Sequence, residues 1–320
     1  MNLTSIRPGR LQDLPELHRL HASSLRGYYY DDLADLEEPD LLKGVNAVLV
    51  DRQTDRLKGF VTFNDVTRSE ALPASAPSKV SLRAAAFASA GATSRLQFRA
   101  LFEHAHQQLP QQSQGYLFSA LTEQGWLRAS LRESGFDLHD AVRFYERRSR
   151  PVGTVHQAAA LRPAQPSDLP MMAELDAAAF SPLWHMGITE LQYLHRDCRF
   201  EIAETAQETQ GYSALRLTSD GSPRGFSSAQ VVRLAVHPTV QGRGIGRQLL
   251  VACLRYAHRL GIDRVFLNTQ ESNSPSQNLY ESLHFQKRGR PVPVWVKHMS
   301  TCRSGSFTQK DQHYRTQPST

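Results

Sequence analysis

The residues of this chain best suited to hold an anion are Gln241-Gly242-Arg243-Gly244-Ile245-Gly246-Arg247. The run before them, Val231 to Val236, is rich in β-branched side chains and is closed by Pro238, which cannot donate to a ladder, so it reads as a strand that stops there. After them, Leu249, Leu250, Cys253, Ala257 and Leu260 recur at three- and four-residue spacing, with Arg247, Gln248, Arg255 and Arg259 mostly on other faces. That spacing predicts an amphipathic helix from Ile245 onward, closed by Gly261. The first turn of such a helix has backbone N–H groups without intrahelical partners and the positive end of the helix dipole. Gly244 and Gly246 carry no Cβ, so a bulky diphosphate can approach the backbone, and Arg243 and Arg247 add charge at the same end. Strand, glycine turn and helix start together read as a phosphate cradle.

A second group follows downstream. Val265-Phe266-Leu267-Asn268-Thr269 is another apolar run, and the segment after it carries Asn273, Ser276, Tyr280, Leu283 and Phe285. Taken with Leu234-Ala235-Val236-His237-Pro238 and the glycine turn, these residues resemble the coenzyme A-binding part of the GNAT superfamily of acyl-CoA N-acyltransferases. Strand, loop, helix, strand and helix follow one another in the family's order. The resemblance implies an acetyl-CoA-dependent N-acetyltransferase with acetyl-CoA as co-substrate. It implies that Gln241 to Arg247 hold the pyrophosphate, that Leu234, Ala235 and Val236 meet the pantetheine arm, and that Asn273 belongs to the cofactor site. It makes Tyr280 the general acid beside the cofactor sulfur. A tyrosine near pKa 10 facing a thiol near 8.5 would surrender a full proton at a cost of about 2 kcal/mol, so a strong hydrogen bond to the leaving thiolate is sufficient.

The general base stays open. Many family members carry Glu near the start of the central strand, where this chain has Gln230, which cannot accept a proton at neutral pH. Glu201, Glu204 and His237 are candidates acting through water. Alternatively, the acceptor is an α-amine or another amine of low pKa that is already partly neutral. The acceptor is expected to be a primary amine on a small molecule or a peptide. Acyl-CoA binding without turnover is the competing reading, and Gln230 together with His284 in place of the family's glycine keeps it open.

Internal repetition organises the rest. Ile6-Arg7-Pro8 and Asp13-Leu14-Pro15 recur 155 residues later as Leu161-Arg162-Pro163 and Asp168-Leu169-Pro170. Each copy reads as an extended segment running into an Asp-led helix with proline in its first turn. Tyr116 to Ala120 matches Val265 to Thr269, and Glu133-Ser134-Gly135-Phe136 matches Ser282-Leu283-His284-Phe285. The expected fold is α/β with a mixed sheet, in two tandem GNAT-like domains, a layout similar to that of mycothiol synthases. The expected limits are 1–152 for the first domain, 156–300 for the catalytic one and 301–320 for a disordered tail. The Pro- and Gly-containing segment Arg150 to His156 lies between the domains. Where the second half has its paired glycines, the first has Gly91-Ala92-Thr93-Ser94, so the first copy is read as degenerate.

Composition narrows the remaining classes. A formal charge of +6 is modest and spread out, and no nucleic-acid module accompanies it, so nucleic acid is not an expected partner. No apolar run reaches membrane-spanning length and Met1 to Arg10 lacks a signal core, which makes a cytoplasmic location the expectation, with no membrane partner. A homodimer is compatible with this. Cys198, Cys253 and Cys302 lie far apart, with neither disulfide nor zinc spacing, and His104 and His106 would splay apart on a helix, so no metal is expected. Selectivity is expected from the loops after the first helices. These are Phe180 to Met186, with Tyr193, in one half, and Tyr28 to Tyr30 running into an acidic stretch ending at Asp40 in the other.

Overall fold

The computed structural model describes residues 4–24, 26–29, 44–64, 70–148, 150–205, 208–219 and 226–300. Tyr30 with the acidic stretch after it, and the segment 301–320, lie outside the described residues. In chain order the first half gives β1 (Thr4–Arg7), α1 (Leu14–Ser23), β2 (Gly27–Tyr29), β3 (Asn46–Asp51), β4 (Leu57–Phe63), β5 (Ser78–Phe87), α2 (Ala92–His106), β6 (Tyr116–Leu121), α3 (Gly125–Glu133) and β7 (Asp137–Arg148). The second half gives β8 (Ala160–Pro163), α4 (Leu169–Ala179), α5 (Ile188–Asp197), β9 (Cys198–Thr205), β10 (Glu208–Ser219) and β11 (Phe226–Val236). It ends with α6 (Ile245–Arg259), β12 (Arg264–Gln270), α7 (Ser274–Ser282) and β13 (Gln286–Met299). The mixed α/β architecture read from the sequence is present.

The chain divides into two compact units. One contains the described residues of 1–67, 75–140 and 292–320, the other those of 68–74 and 141–291. In the first unit the strands run β1-β3-β4-β5-β6, and the last part of β13 pairs antiparallel with β6 from Val294↔Leu121 to Met299↔Tyr116. In the second they run β7-β12-β11-β10-β9-β8, with β7 antiparallel to β12 from Val142↔Gln270 to Arg148↔Arg264. Each unit therefore completes its sheet with a strand from the other half of the sequence.

The repeat is as visible in side chains as in sequence. Arg7 Nη1 donates to Asp13 Oδ2 at 2.6 Å, and Arg162 Nη1 donates to Asp168 Oδ2 at 2.7 Å. Each aspartate also accepts a backbone N–H three residues upstream, from Arg10 and from Gln165, both at 2.7 Å. Neither side chain caps the helix it leads, which differs from the capping expected from sequence: both carboxylates are drawn back to the arginine of the preceding strand. Gly59 and Gly211 also correspond, and a Cβ on either would meet the opposing strand at 2.7 and 2.6 Å.

Apolar periodicity places each core. In the first unit α2 buries Phe98, Leu101 and Phe102 against Phe63, Phe118 and Trp295. In the second, α6 lays Leu250, Leu254 and Ala257 on one sheet face with Val265 and Leu267, while α4 and α5 cover the other with Met172, Leu191, Ile202 and Tyr212. Burying each of the Leu, Ile, Val, Phe and Met side chains contributes about 1.5–3 kcal/mol. Gln248 departs from the expected pattern. It is buried in α6, where its amide accepts from Ala158 N at 2.8 Å and Ala159 N at 3.0 Å and donates to Ala159 O at 2.7 Å. A polar side chain can occupy that face because the segment before β8 runs across it and supplies backbone partners.

Candidate active site

The site forms where two parallel strands part. β11 and β12 pair only at Ser228↔Arg264, Ala229↔Val265 and Gln230↔Phe266, although β11 continues to Val236 and β12 to Gln270. The register of β10 with β11 slips here, from Ala214↔Arg233 to Leu215↔Val231, which leaves Val232 as the extra residue of a β-bulge. A bulge bends its strand and increases local twist, and that carries β11 away from β12.

The parting exposes particular backbone groups. His237 N donates to Gln210 O at 2.8 Å, which fixes the phase of the antiparallel ladder with β10. In such a ladder, hydrogen-bonded and non-hydrogen-bonded pairs alternate. Ala235 falls opposite Tyr212 in a bonded pair, so its N–H and C=O are committed to β10. Leu234 and Val236 fall in non-bonded pairs and turn their groups toward the gap. The Val236 carbonyl accepts from Gln241 Nε2 at 3.1 Å, which leaves the Leu234 groups and the Val236 N–H.

At the end of β11 the chain makes a short 3₁₀ turn, Pro238–Val240, and then the glycine turn. Gly242 has φ of +76° and Gly244, the N-cap of α6, has φ of +88° and ψ of −3°. Both lie in the left-handed region that disfavours other residues. A Cβ at either would touch no protein atom within 4 Å, so open space faces the turn. A Cβ at Gly246 would make only ordinary contacts, 3.5 Å from Val236 and 3.6 Å from Leu279, so packing within the chain does not require glycine there. No side chain caps α6, whose first N–H groups, from Ile245 to Arg247, start beside this space. Arg243 is exposed, whereas Arg247 Nη2 donates to Ser282 Oγ at 2.6 Å. The cradle residues thus fit a diphosphate through backbone donors, with the exposed Arg243 adding positive charge on the same turn.

A cavity of about 90 Å³ lies beside the gap, lined by Val142, Phe180, Trp184, Val231 to Leu234, Asn268 to Gln270, Asn273, Ser276 and Tyr280. Tyr280 projects from α7 into it, 6% exposed, edge-on to Tyr145 with ring centroids 5.7 Å apart. Burial pushes its hydroxyl up to about 12, with the Ser276 hydroxyl and the charge of Arg233 pulling the other way. Asn273 lines the cavity and also caps α7, accepting Ser276 N at 3.1 Å. His284, at the end of α7, adopts φ of +65° and its counterpart Gly135 adopts +80°. The histidine thus adopts the same left-handed turn as the glycine at the matching position.

The candidate bases lie elsewhere. Glu201 is paired with Arg199 at 2.7 Å and Glu204 with Arg162 at 2.8 Å, both on β9, and His237 Nδ1 is 2.8 Å from Thr239 Oγ1. Among the described residues no carboxylate lines the cavity. Of the aromatic residues after α4, Phe180 and Trp184 form cavity wall, whereas Tyr193 is 62% exposed on α5. Among the described residues no cluster of His, Cys, Asp or Glu is placed to hold a metal, and no helix is long and apolar enough to cross a membrane.

Sequence reading missed Arg233. Its Nε donates to Asp176 Oδ2 at 2.7 Å and its Nη2 donates to Asp176 and, at 2.9 Å, to the Trp184 carbonyl, while the Phe180 ring lies 3.6 Å from its guanidinium carbon. Tyr212 donates its hydroxyl to the same aspartate. The partners are 36 and 57 residues from Asp176, so no local spacing announced the cluster.

Residues 169–285 match the family model described as Acetyltransferase (GNAT) family. A mycothiol acetyltransferase of Acidothermus cellulolyticus is 32% identical over 137 residues, which cover 37% of this chain and 41% of that protein. The [ribosomal protein bS18]-alanine N-acetyltransferase of Salmonella typhimurium is 35% identical over 83 residues, covering 24% of this chain and 56% of that protein. The chain spans half or less of the length of the mycothiol acetyltransferases it matches. Among solved structures, a tandem GNAT protein from the clavulanic acid biosynthesis pathway shares the fold with a TM-score of 0.58 at 14% identity, covering 94% of this chain and all of that one. A GCN5-related N-acetyltransferase from Sphaerobacter thermophilus gives 0.58 at 14% identity, covering 93% and 96%.

Proposed function

We propose that the second unit, whose residues 169–285 match the GNAT acetyltransferase family model, transfers an acetyl group from acetyl-CoA to a primary amine of a small molecule or peptide. The observation that carries this reading is the parting of β11 from β12 directly beside an uncapped glycine turn. The turn and the first N–H groups of α6 take the pyrophosphate, with Arg243 adding charge. The pantetheine arm lies along the gap against Leu234 and Val236, filling the place of the missing strand, and its thioester reaches the cavity under Tyr280. The names of the relatives, which act on mycothiol or on a ribosomal protein alanine, support an amine acceptor.

The amine lone pair attacks the thioester carbonyl, the C–N bond forms, and the C–S pair leaves on sulfur. The proton shed by nitrogen reaches the thiolate through solvent, giving amide and free thiol. With Tyr280 near 12 and a thiol near 8.5, full proton transfer from the tyrosine would cost about 5 kcal/mol. Tyr280 therefore acts by donating a hydrogen bond to the emerging thiolate. The cavity offers no carboxylate to deprotonate the acceptor, which favours an amine that arrives neutral, such as an α-amine.

The same absence, with Gln230 at the family's usual base position, is what favours the second reading, acyl-CoA binding without turnover. Acetyl-CoA consumption with a panel of amines, compared between the native chain and Tyr280→Phe, separates the two. Turnover that depends on the amine and falls in the variant supports transfer. Binding with equal, amine-independent consumption in both supports the second reading.

A further inference from the structure

The repeat built the same cleft twice, and in the first unit the chain closes it. Parallel pairing of β5 with β6 stops at Ser81↔Ser119, although β5 continues to Phe87. The register of β4 with β5 slips between Thr62↔Ala84 and Phe63↔Leu82, a bulge at Arg83 that matches the one at Val232. Along the freed edge lies β2, with Gly27 opposite Ala86, Tyr28 opposite Ala85 and Tyr29 opposite Ala84. The Tyr28 hydroxyl donates to Leu121 O of β6 at 2.7 Å, across the gap. Ala85 corresponds to Leu234. The backbone edge that stays open in one unit is paired with the chain itself in the other.

The segment that differs is the one after the first helix. By the 155-residue repeat, Gly27 to Tyr29 correspond to Pro182 to Trp184. In the second unit that segment is tied to side chains and not to the strand edge. Asp176 accepts Met186 N at 2.6 Å, and Arg233 donates to the Trp184 carbonyl at 2.9 Å and lies against Phe180. Tyr212 completes the cluster from β10. The Asp176 side chain is fully buried and that of Arg233 is 10% exposed. The matching positions in the first unit are His21, Phe60 and Ala84, so carboxylate, hydroxyl and guanidinium are all missing. A buried ion pair is a weak source of stability compared with apolar packing, so its presence at this position calls for another role.

We propose that Asp176, Tyr212 and Arg233 form a prop that holds residues 180–186 off β11 and keeps the Leu234 to Val236 edge open. Arg233 is in this sense a positioning residue. The proposal rests on the reading that the pantetheine arm of acetyl-CoA uses that edge, and it makes closure in the first unit the consequence of losing the prop.

The test is amide hydrogen exchange at Leu234 and Val236 in the full chain, with and without acetyl-CoA, alongside titration of acetyl-CoA affinity. Three chains are compared: native, Gly244→Asp, and the double variant Asp176→His/Arg233→Ala, which places the first unit's residues at two of the three positions without stranding a buried carboxylate. Native amides are expected to exchange fast when free and at least ten-fold slower with acetyl-CoA. The double variant is expected to show slow exchange without ligand and an affinity reduced at least thirty-fold. Gly244→Asp is expected to lose affinity while these amides stay fast, which separates loss of the cofactor site from closure of the cleft. If the native chain does not bind acetyl-CoA, the functional reading fails, yet the ligand-free comparison still decides the prop. A cooperatively folded double variant with fast amides overturns the proposal. Should that variant not fold, Asp176→Asn/Arg233→Met preserves side-chain volume and is judged by the same two outcomes.

Discussion

Replacing Gly244 by aspartate should separate binding from folding. The residue sits at φ of +88°, where a side chain costs about 1–2 kcal/mol, with aspartate at the lower end. The new Cβ meets nothing within 4 Å, so no clash adds to this. A carboxylate at the N-terminus of α6 returns about 0.3–1 kcal/mol through the helix dipole. Net destabilisation should thus be about 1 kcal/mol, a fall in Tm of roughly 2–4 °C for a unit of about 150 residues that unfolds cooperatively. Binding is another matter. Two like charges about 5 Å apart at an effective dielectric near 20 repel by about 3 kcal/mol, roughly a hundred-fold in affinity for a diphosphate at the turn. Calorimetric titration with acetyl-CoA, paired with a thermal melt, reads both quantities. Gly244→Asn tolerates the same backbone without charge and should lose only a few-fold, and the aspartate defect should shrink as salt rises. Native affinity in a folded Gly244→Asp chain, or equal losses for Asp and Asn, would refute an anion held at this turn.

Three further outcomes are expected. Tyr280→Phe removes a hydrogen bond to a developing charge, about 1.5–3 kcal/mol, so kcat should fall roughly 10- to 100-fold with little change in KM for acetyl-CoA in steady-state assays. With no carboxylate in the cavity lining, kcat/KM should rise with pH through the acceptor's own pKa. Tyr280, held near 12 by burial, keeps its proton and imposes no alkaline fall below about pH 10. A rate profile that instead follows an enzyme carboxylate traced to Glu201 or Glu204 would contradict this. Gln248→Ala strands the Ala158 and Ala159 N–H groups and the Ala159 carbonyl, and should cost about 2–3 kcal/mol by denaturant unfolding.

What the sequence displayed was local. The glycine turn, the helix from Ile245 and the paired Arg-Pro and Asp-Leu-Pro motifs all advertise themselves within a few residues, because dihedral demands and apolar spacing are written into neighbouring positions. The parting of β11 was hidden, since Val232 is an ordinary strand residue and only the register of β10 makes it a bulge. The Asp176, Tyr212 and Arg233 cluster depends on three separate elements converging, which no local spacing in the sequence displays. Gln248 was placed on the polar side because the segment that satisfies its amide lies about ninety residues earlier. Closure of the first cleft by β2 was equally out of reach, since Tyr28 and Tyr29 had no spacing that distinguished a plug from a wall.

One unit has an open cleft and the other a closed one, and the stoichiometry of acetyl-CoA binding to the full native chain measures that difference directly. Calorimetric titration should give one equivalent per chain, with affinity about a hundred-fold weaker in Gly244→Asp. Two equivalents would mean that β2 does not close the first cleft, and no binding would contradict the assignment of the glycine turn and the Leu234 to Val236 edge to acetyl-CoA.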